Sequence, residues 1–394
     1  MKPYWRLWTS DGLSNLADGV LKVAVPLIAV GLTRDPAVIA GLGVAFTLPW
    51  LLCALPAGAL VDRLDRRRAM LAANTVRGAL LLVLLGVREI WALYAVALCV
   101  GVTETIYDTA AQSIVPQIVD RDLLPRANGR LYAVELMANE FAGPPLAGLL
   151  VGAGTMAAFG APIALWAAAV AVLATLPGRF KVERPEPTTL RADIAEGLRF
   201  LVRQPILRTF TVATALFNLA TSATFAIIVL YAVGPRSPMG LSEQAYGVLL
   251  TSTAAGSLLG SLLAERIEHW LGRARALQLS FVVSAVTIAV PTVTTNPVTV
   301  GIGLFTGSAG VMVTNIVMVS LRQRITPDRL LGRLNSTHRL VAWGTKPLGA
   351  ALGGVMAAAI GVRPVFAVVA ALPLLAVIGL ARLSDRRLDS ADQI

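Results

Sequence analysis

Two cysteines and two histidines are all that 394 residues provide. Cys53 and Cys99 both fall in apolar stretches, where a cysteine behaves as a small buried hydrophobe, so no disulfide framework is expected. His269 and His338 stand far apart, and neither has metal-ligand spacing to a cysteine or carboxylate. Charge is scarce as well, at 14% of residues. No Gly-x-x-x-x-Gly-Lys-Ser/Thr loop occurs, which argues against nucleotide drive from this chain. No nucleophile–base–acid arrangement is visible either, so an enzyme is not expected. Met1–Trp8 runs directly into a stretch too polar for the apolar region of a cleavable signal peptide.

What fills the chain is hydrocarbon. Apolar residues make up 56% of it and mean hydropathy is +0.71. Twelve stretches of spanning length are legible, roughly 10–32, 37–61, 69–87, 90–115, 128–153, 157–177, 208–233, 245–266, 275–294, 297–321, 335–360 and 363–381. A bilayer core of about 30 Å needs about 20 apolar residues per helix, so a soluble domain is excluded. The expected fold is an all-α membrane protein, with twelve transmembrane helices in two pseudo-symmetric six-helix bundles.

The net charge of +11 could suggest a nucleic-acid partner, but its placement indicates topology instead. Of 34 Lys and Arg, 26 fall in alternate loops and the termini, and only Arg34, Arg88, Arg236 and Arg363 fall in the others. This bias puts both termini in the cytoplasm and adds an attraction to anionic lipid. Residues 179–207 are polar and Pro-bearing, then amphipathic, and separate bundles at 1–178 and 208–394. The segment 190–204 is expected to form a helix on the inner membrane face. A faint internal echo, Asp120 to Leu124 against Asp328 to Leu331, fits two pseudo-symmetric bundles with a binding site expected at their interface.

Four more basic residues, Lys22, Arg77, Arg339 and Lys346, lie inside expected spans, and so do several acids. A charge at mid-bilayer costs about 2.5–3.5 kcal/mol on insertion scales, so each needs a partner, water or a function. Span one carries Asp11, Asn15, Asp18 and Lys22 along one stripe. Asp18 and Lys22 are four apart and can pair; either they neutralise each other structurally or Asp18 responds to protons or substrate. Asp11 is expected near the inner surface, solvated or capping. Span four carries Glu104, Asp108 and Gln112 at helical spacing. Two carboxylates on one face disfavour joint ionisation, which suits proton carrying; the alternative is a fixed network with Arg77 or Arg130. Span five carries Glu135, Asn139 and Glu140, then Gly143, Pro144, Pro145 and Gly148, whose prolines interrupt the backbone ladder.

The second half has no carboxylate in an expected span, but it has Lys346 before Pro347. A contact of Lys346 with the first half's acids could couple protonation to rocking, or could be permanent packing. Gly256 and Gly260 form a small-xxx-small element expected to pack helices.

The loop Gly58-Ala59-Leu60-Val61-Asp62-Arg63-Leu64-Asp65-Arg66-Arg67-Arg68 resembles the signature loop of the major facilitator superfamily, with Asp65 in place of its glycine. The resemblance implies a gating role for Gly58, Asp62, Arg63, Arg66 and Arg67. Gly143-Pro144-Pro145-Leu146-Ala147-Gly148 is similar to the span-five element of the family's antiporters and implies the same for Gly143, Pro144 and Gly148. The arginine-centred span-four motif of drug/proton antiporters is absent; Glu104 and Asp108 stand there instead. Ser14–Gly19, Glu196–Leu201, Gln323–Arg333 and Pro347–Gly349 look like the branch containing macrolide-efflux and enterobactin-export proteins.

The resemblance implies a multi-pass protein of the bacterial cytoplasmic membrane, monomeric, without cofactor and with the proton as coupling ion. It would export amphipathic, cationic drugs or metabolites by alternating access. Proton-coupling candidates are Asp18, Glu104, Asp108, Glu135 and Glu140. Substrate-wall candidates are Asn15, Tyr107, Phe217, Asn218 and Asn315, with Lys22 and Lys346 as binding charges if the cargo is a siderophore or other endogenous metabolite. The partners expected are a small-molecule substrate, protons and membrane lipid, with no nucleic acid. A non-concentrating sensor or lipid scramblase is the third reading.

Overall fold

A computed structural model describes residues 2–85, 89–120, 123–180, 190–326, 328–381 and 385. The side-chain surroundings of Gly58, Asp62, Arg63 and Arg339, and residues 181–189 of the connecting segment, lie outside the described set. In chain order the helices are α1 (Lys2–Leu32), α2 (Pro36–Arg63), α3 (Arg66–Val83), α4 (Ile90–Ile118), α5 (Leu124–Leu136), a π-helical turn (Met137–Ala142) and α6 (Gly143–Ala153). Then follow α7 (Thr155–Ala174), α8 (Leu190–Arg203), α9 (Pro205–Ala232), α10 (Glu243–Leu271), α11 (Arg273–Val293), α12 (Pro297–Ile325), α13 (Asp328–Ile360) and α14 (Val362–Leu380). Counting α5, the π turn and α6 as one rod, and setting aside α8, the described residues form twelve long rods, an all-α membrane fold. Nine of the described helices are long and apolar enough on their own to cross a membrane.

The rods are longer than their apolar stretches. Span one, read at 10–32, begins at Lys2, and the inner loops read at 117–130 and 322–333 are mostly helix. Hydropathy senses only what lipid requires; the backbone ladder continues into the polar zone while good helix formers supply it. The turns before α2 and α12 are short and capped. Asp35 accepts from the Ala37 and Val38 amides (2.8 and 3.4 Å) ahead of Pro36, and Asn296 does the same for Val298 and Thr299 (2.9 and 3.3 Å) ahead of Pro297.

The chain divides into two compact units, Met1–Pro185 with Ala232–Thr251, and Glu186–Tyr231 with Ser252–Ile394. In the first, α1 is central and touches α2, α4, α5, the π turn, α6 and α7. Its core includes Tyr4, Leu7, Met70, Ile114 and Leu173. In the second, α11 packs on α12 and α14, and α13 on α8 and α14, around Phe210, Phe281, Val313 and Leu380. There Gly256 and Gly260 seat α10 directly on the backbone of α12 at Phe305 and Ala309, the packing expected of that element.

The π turn has a cause in the sequence. Pro144 and Pro145 have no N–H, so the carbonyls four residues earlier lose their partners. The Gly143 amide bonds instead to the Ala138 carbonyl, five residues back. The resulting swelling is a frequent feature of functional positions. Here it carries Asn139.

Candidate functional site

The first unit gathers charge between α1, α3, α4 and the π turn. Asp18, on α1, is 2% exposed, and Arg77, on α3, is 1% exposed. Arg77 Nη1 donates to both Asp18 oxygens, at 3.1 and 2.9 Å. Its Nε donates to Thr103 Oγ1 (2.8 Å), and Ser14 and Asn74 complete the ring around Nη1. The guanidinium also lies over two aromatic rings, 5.5 Å from the Tyr107 centroid and 5.7 Å from that of Trp166. A cation that cannot lose its proton is thus fixed by a carboxylate, three neutral acceptors and two π faces.

Beside it, Lys22 Nζ donates to Glu104 Oε1 at 2.7 Å. This second pair is open where the first is closed: the lysine side chain is 37% exposed and the glutamate 11%, against 0% and 3% for Arg77 and Asp18. Asn139, on the π turn, accepts from Lys22 (3.4 Å) and donates to Asn15 Oδ1 (2.6 Å). The turn can reach them because α1 touches it backbone to backbone; a Cβ on Gly19 would stand 2.7 Å from Asn139 Cα.

The expected Asp18–Lys22 pair is therefore replaced. Lys22 reaches across to α4, while α3 brings Arg77 to Asp18. The expectation that Arg77 or Arg130 neutralises Glu104 or Asp108 is corrected in the same way, since Lys22 holds Glu104 and Arg130 lies over the Trp5 ring at 5.3 Å. Asp11, expected near the surface, is only 3% exposed.

Asp108 lies one turn beyond Glu104 on α4. It is half-buried and has no ion pair or hydrogen bond among the described residues. Its charge is felt by Lys22 and Tyr107, and it in turn feels Glu104, Glu135, Asp11 and the Arg77 cation. Among the described residues, Asp11, Asp18, Glu104 and Asp108 feel one another and the two cations Lys22 and Arg77, an excess of two acids before Glu135 is counted. Glu135 is half-buried and Glu140 exposed, and both make contacts.

Several wall candidates prove to be packing. Tyr107 is 1% exposed and serves as a face for Arg77. In the second unit Asn218 is buried and donates to the Ala342 carbonyl (2.8 Å), tying α9 to α13. Phe217 stacks edge-on against Phe281 at 6.1 Å. Asn315 is exposed. Lys346 holds its ammonium 4.5 Å from the Trp343 ring centroid. Their place in spans one, four, seven and ten was the signal for the wall residues, with polarity for the asparagines, and a helix-to-helix hydrogen bond gives the same polar signal as a binding wall.

The gating candidates fall into two groups. Arg66 donates to the Phe180 carbonyl (3.1 Å), and Arg67 to the carbonyls of Leu173 (3.1 Å) and Ala174. Arg67 serves the carbonyl end of α7, where a cation meets the negative pole of the helix, and Arg66 holds the segment that follows it. Asp65, where the superfamily loop has glycine, is the N-cap of α3 and also accepts from the Phe180 amide (2.7 Å). Gly143 meets Gly19, while Gly148 and Pro144 meet the start of α10 at Glu243 and Gly247.

Twelve rods with buried charge confined to their interior define a membrane transporter. The chain belongs to the major facilitator superfamily: the family described as "Transmembrane secretion effector" matches residues 2–394. It is similar to the multidrug efflux pump Tap of Mycolicibacterium fortuitum, 29% identical over 92% of this chain and 90% of that one. It is also similar to the enterobactin exporter EntS of Shigella boydii, 26% identical over 88% and 83% of the two chains. Among solved structures, a bacterial homologue of the iron transporter ferroportin superposes with a TM-score of 0.77 over 97% of this chain and 98% of that one, at 17% identity. The chain is an exporter of this superfamily and not an enzyme.

Proposed function

We propose that the protein exports amphipathic organic cations in exchange for protons. One observation carries this reading: among the described residues of the site the acids outnumber the bases, and Asp108 makes no ion pair or hydrogen bond there. An excess negative charge in a low-dielectric interior cannot persist bare. It is relieved either by protons or by a cationic cargo, and the two relieve the same charge. Mutual exclusion at one set of carboxylates is the chemical requirement of antiport.

The two pairs divide the work. Asp18–Arg77 is closed and acts as a fixed keel joining α1 to α3. Glu104–Lys22 is open, so protonation of Glu104 frees Lys22 to turn to Asn139. Asp108 and Glu104 carry the exchanged protons, with Glu135 and Glu140 nearest the path on the adjoining rod. Bacterial inner-membrane placement with both termini inside fits the charge bias of the loops. The reading needs no cofactor. Similarity to Tap supports a drug as cargo; similarity to EntS, together with the partly exposed Lys22 side chain, supports an anionic siderophore as the second reading.

The test is ethidium uptake into proteoliposomes under an imposed pH gradient. Gradient-driven accumulation by wild type, lost in Glu104→Gln, is expected. Accumulation that ignores the gradient overturns proton exchange, and transport of a catecholate siderophore but not ethidium moves the cargo to the second reading.

A further inference from the structure

The second unit holds one guanidinium that nothing explains. Arg322 ends the apolar part of α12, its Nε is buried, and it makes no hydrogen bond or ion pair as a donor among the described residues. Other intramembrane cations described above have a carboxylate, an amide or a ring. An arginine cannot shed its charge, and leaving a buried charged donor unmet is costly. Of its donors only Nε is both buried and unmet, and an acceptor oxygen from outside the chain would satisfy it.

A crevice is built around it. Leu207, Phe210, Thr211, Met318, Leu334 and His338 line it together with Arg322. It has about 10 Å³ of free space, about enough for one water-sized group. Thr211 Oγ1 donates to the Leu207 carbonyl (2.9 Å) and sits 2.9 Å from His338 Nδ1. Since the hydroxyl has a single proton, Nδ1 is assigned as the donor to Oγ1. With the Thr211 and Nδ1 protons both committed, the donor the crevice offers to one oxygen of an oxyanion is Arg322, and the remainder of that oxyanion stays in the mouth.

The surroundings say which oxyanion. Leu207 and Leu334 also pack on Leu201 of α8. On the outer side of α8, Leu198 and Val202 are 43% and 50% exposed. Arg199 and Arg203, each one place further along, are exposed too, as is Arg208 at the start of α9. An amphipathic helix with apolar residues and arginines side by side sits at the headgroup level of a membrane. Val212, next to Thr211, is 52% exposed and continues the apolar path along α9.

We propose that this crevice binds the phosphate of an anionic phospholipid, with Arg322 at its base, Thr211 and His338 at its side and Arg199, Arg203 and Arg208 at its rim. A phosphate oxygen enters, and the acyl chains follow the apolar faces of α8 and α9. The bound lipid would then fix α8 against α13 and α9.

Native mass spectrometry of the purified full-length protein with added phosphatidylglycerol tests this, with phosphatidylcholine and inorganic phosphate as comparison arms. One tightly retained phosphatidylglycerol is expected on wild type. Arg322→Gln should weaken it about ten- to a hundredfold, as loss of a charge-assisted bond implies. Arg322→Lys, which keeps the charge and the fold but not the fork, should fall between, and Thr211→Val should weaken it less. Equal retention by all variants, equal binding of phosphatidylcholine, or displacement by millimolar phosphate with the same Arg322 dependence would each overturn the proposal. The last of these outcomes would assign the crevice to a free anion.

Discussion

The Asp18–Arg77 pair makes an asymmetric prediction. Removing one partner of a buried pair costs about 3–5 kcal/mol, because the survivor is left charged and unpaired. The two survivors here are not equivalent. In Arg77→Gln the remaining Asp18 carboxyl can take up a proton and become neutral. In Asp18→Asn the Arg77 guanidinium stays charged at any accessible pH, with only Thr103, Ser14, Asn74 and the two rings around it. Asp18→Asn should therefore cost the full amount at every pH. Arg77→Gln should cost as much at pH 8 and distinctly less at pH 5, where protonation of the stranded carboxyl relieves the penalty. At about 2 °C per kcal/mol for a unit of this size, the full loss is a fall of about 6–10 °C in the unfolding midpoint. Tryptophan fluorescence of the detergent-solubilised protein on heating reads it. The double variant Asp18→Leu with Arg77→Met should recover most of the loss. Equal, pH-independent effects of the two single variants, or a double variant as unstable as the sum of both, would refute the keel.

Three further outcomes follow from the geometry. Lys22→Met removes the partner of Glu104, which is itself buried; it should shift the pH dependence of transport and lower the unfolding midpoint by up to the amount of a stranded buried charge, about 6–10 °C, and an unchanged pH profile would show that the pair takes no part in exchange. Gly19→Leu should abolish folding or transport, because even a Cβ there would stand 2.7 Å from the Asn139 backbone; a fully active Gly19→Leu protein would show that α1 and the π turn are not in contact. Asp65→Ala removes the cap of α3 and the Phe180 clasp and should cost about 1–2 kcal/mol, whereas Asp65→Asn should recover much of it; both are read by the same thermal scan.

The fold was legible because a membrane states its demands one segment at a time. Spans, short outer turns and the amphipathic α8 each follow from local composition, and Pro144 with Pro145 announced a backbone break within span five. The form of the break, a π turn presenting Asn139, required the register of Gly143 against Ala138. Partner choice was less legible. Asp18 and Lys22 share one face of α1 at ideal spacing, yet each pairs with another helix, because interhelical neighbours at a packed seam outcompete a surface-type pairing. Arg77 could have been found: a lone arginine within an apolar stretch requires a carboxylate, and Asp18 was available. Asn218 could not be told from a wall residue, since its Ala342 partner is 124 residues away. Asp65 is the reverse case, where a departure from the superfamily loop marked a cap that the helix uses.

The most direct measurement is proton release when a lipophilic cation binds to the detergent-solubilised protein in weak buffer. If protons and cation compete for Glu104 and Asp108, adding tetraphenylphosphonium or ethidium should release protons in proportion to binding. Asp108→Asn should diminish the release while leaving the fold unchanged. Binding without proton release in the wild type, at any pH between 6 and 8, would contradict a shared carboxylate site.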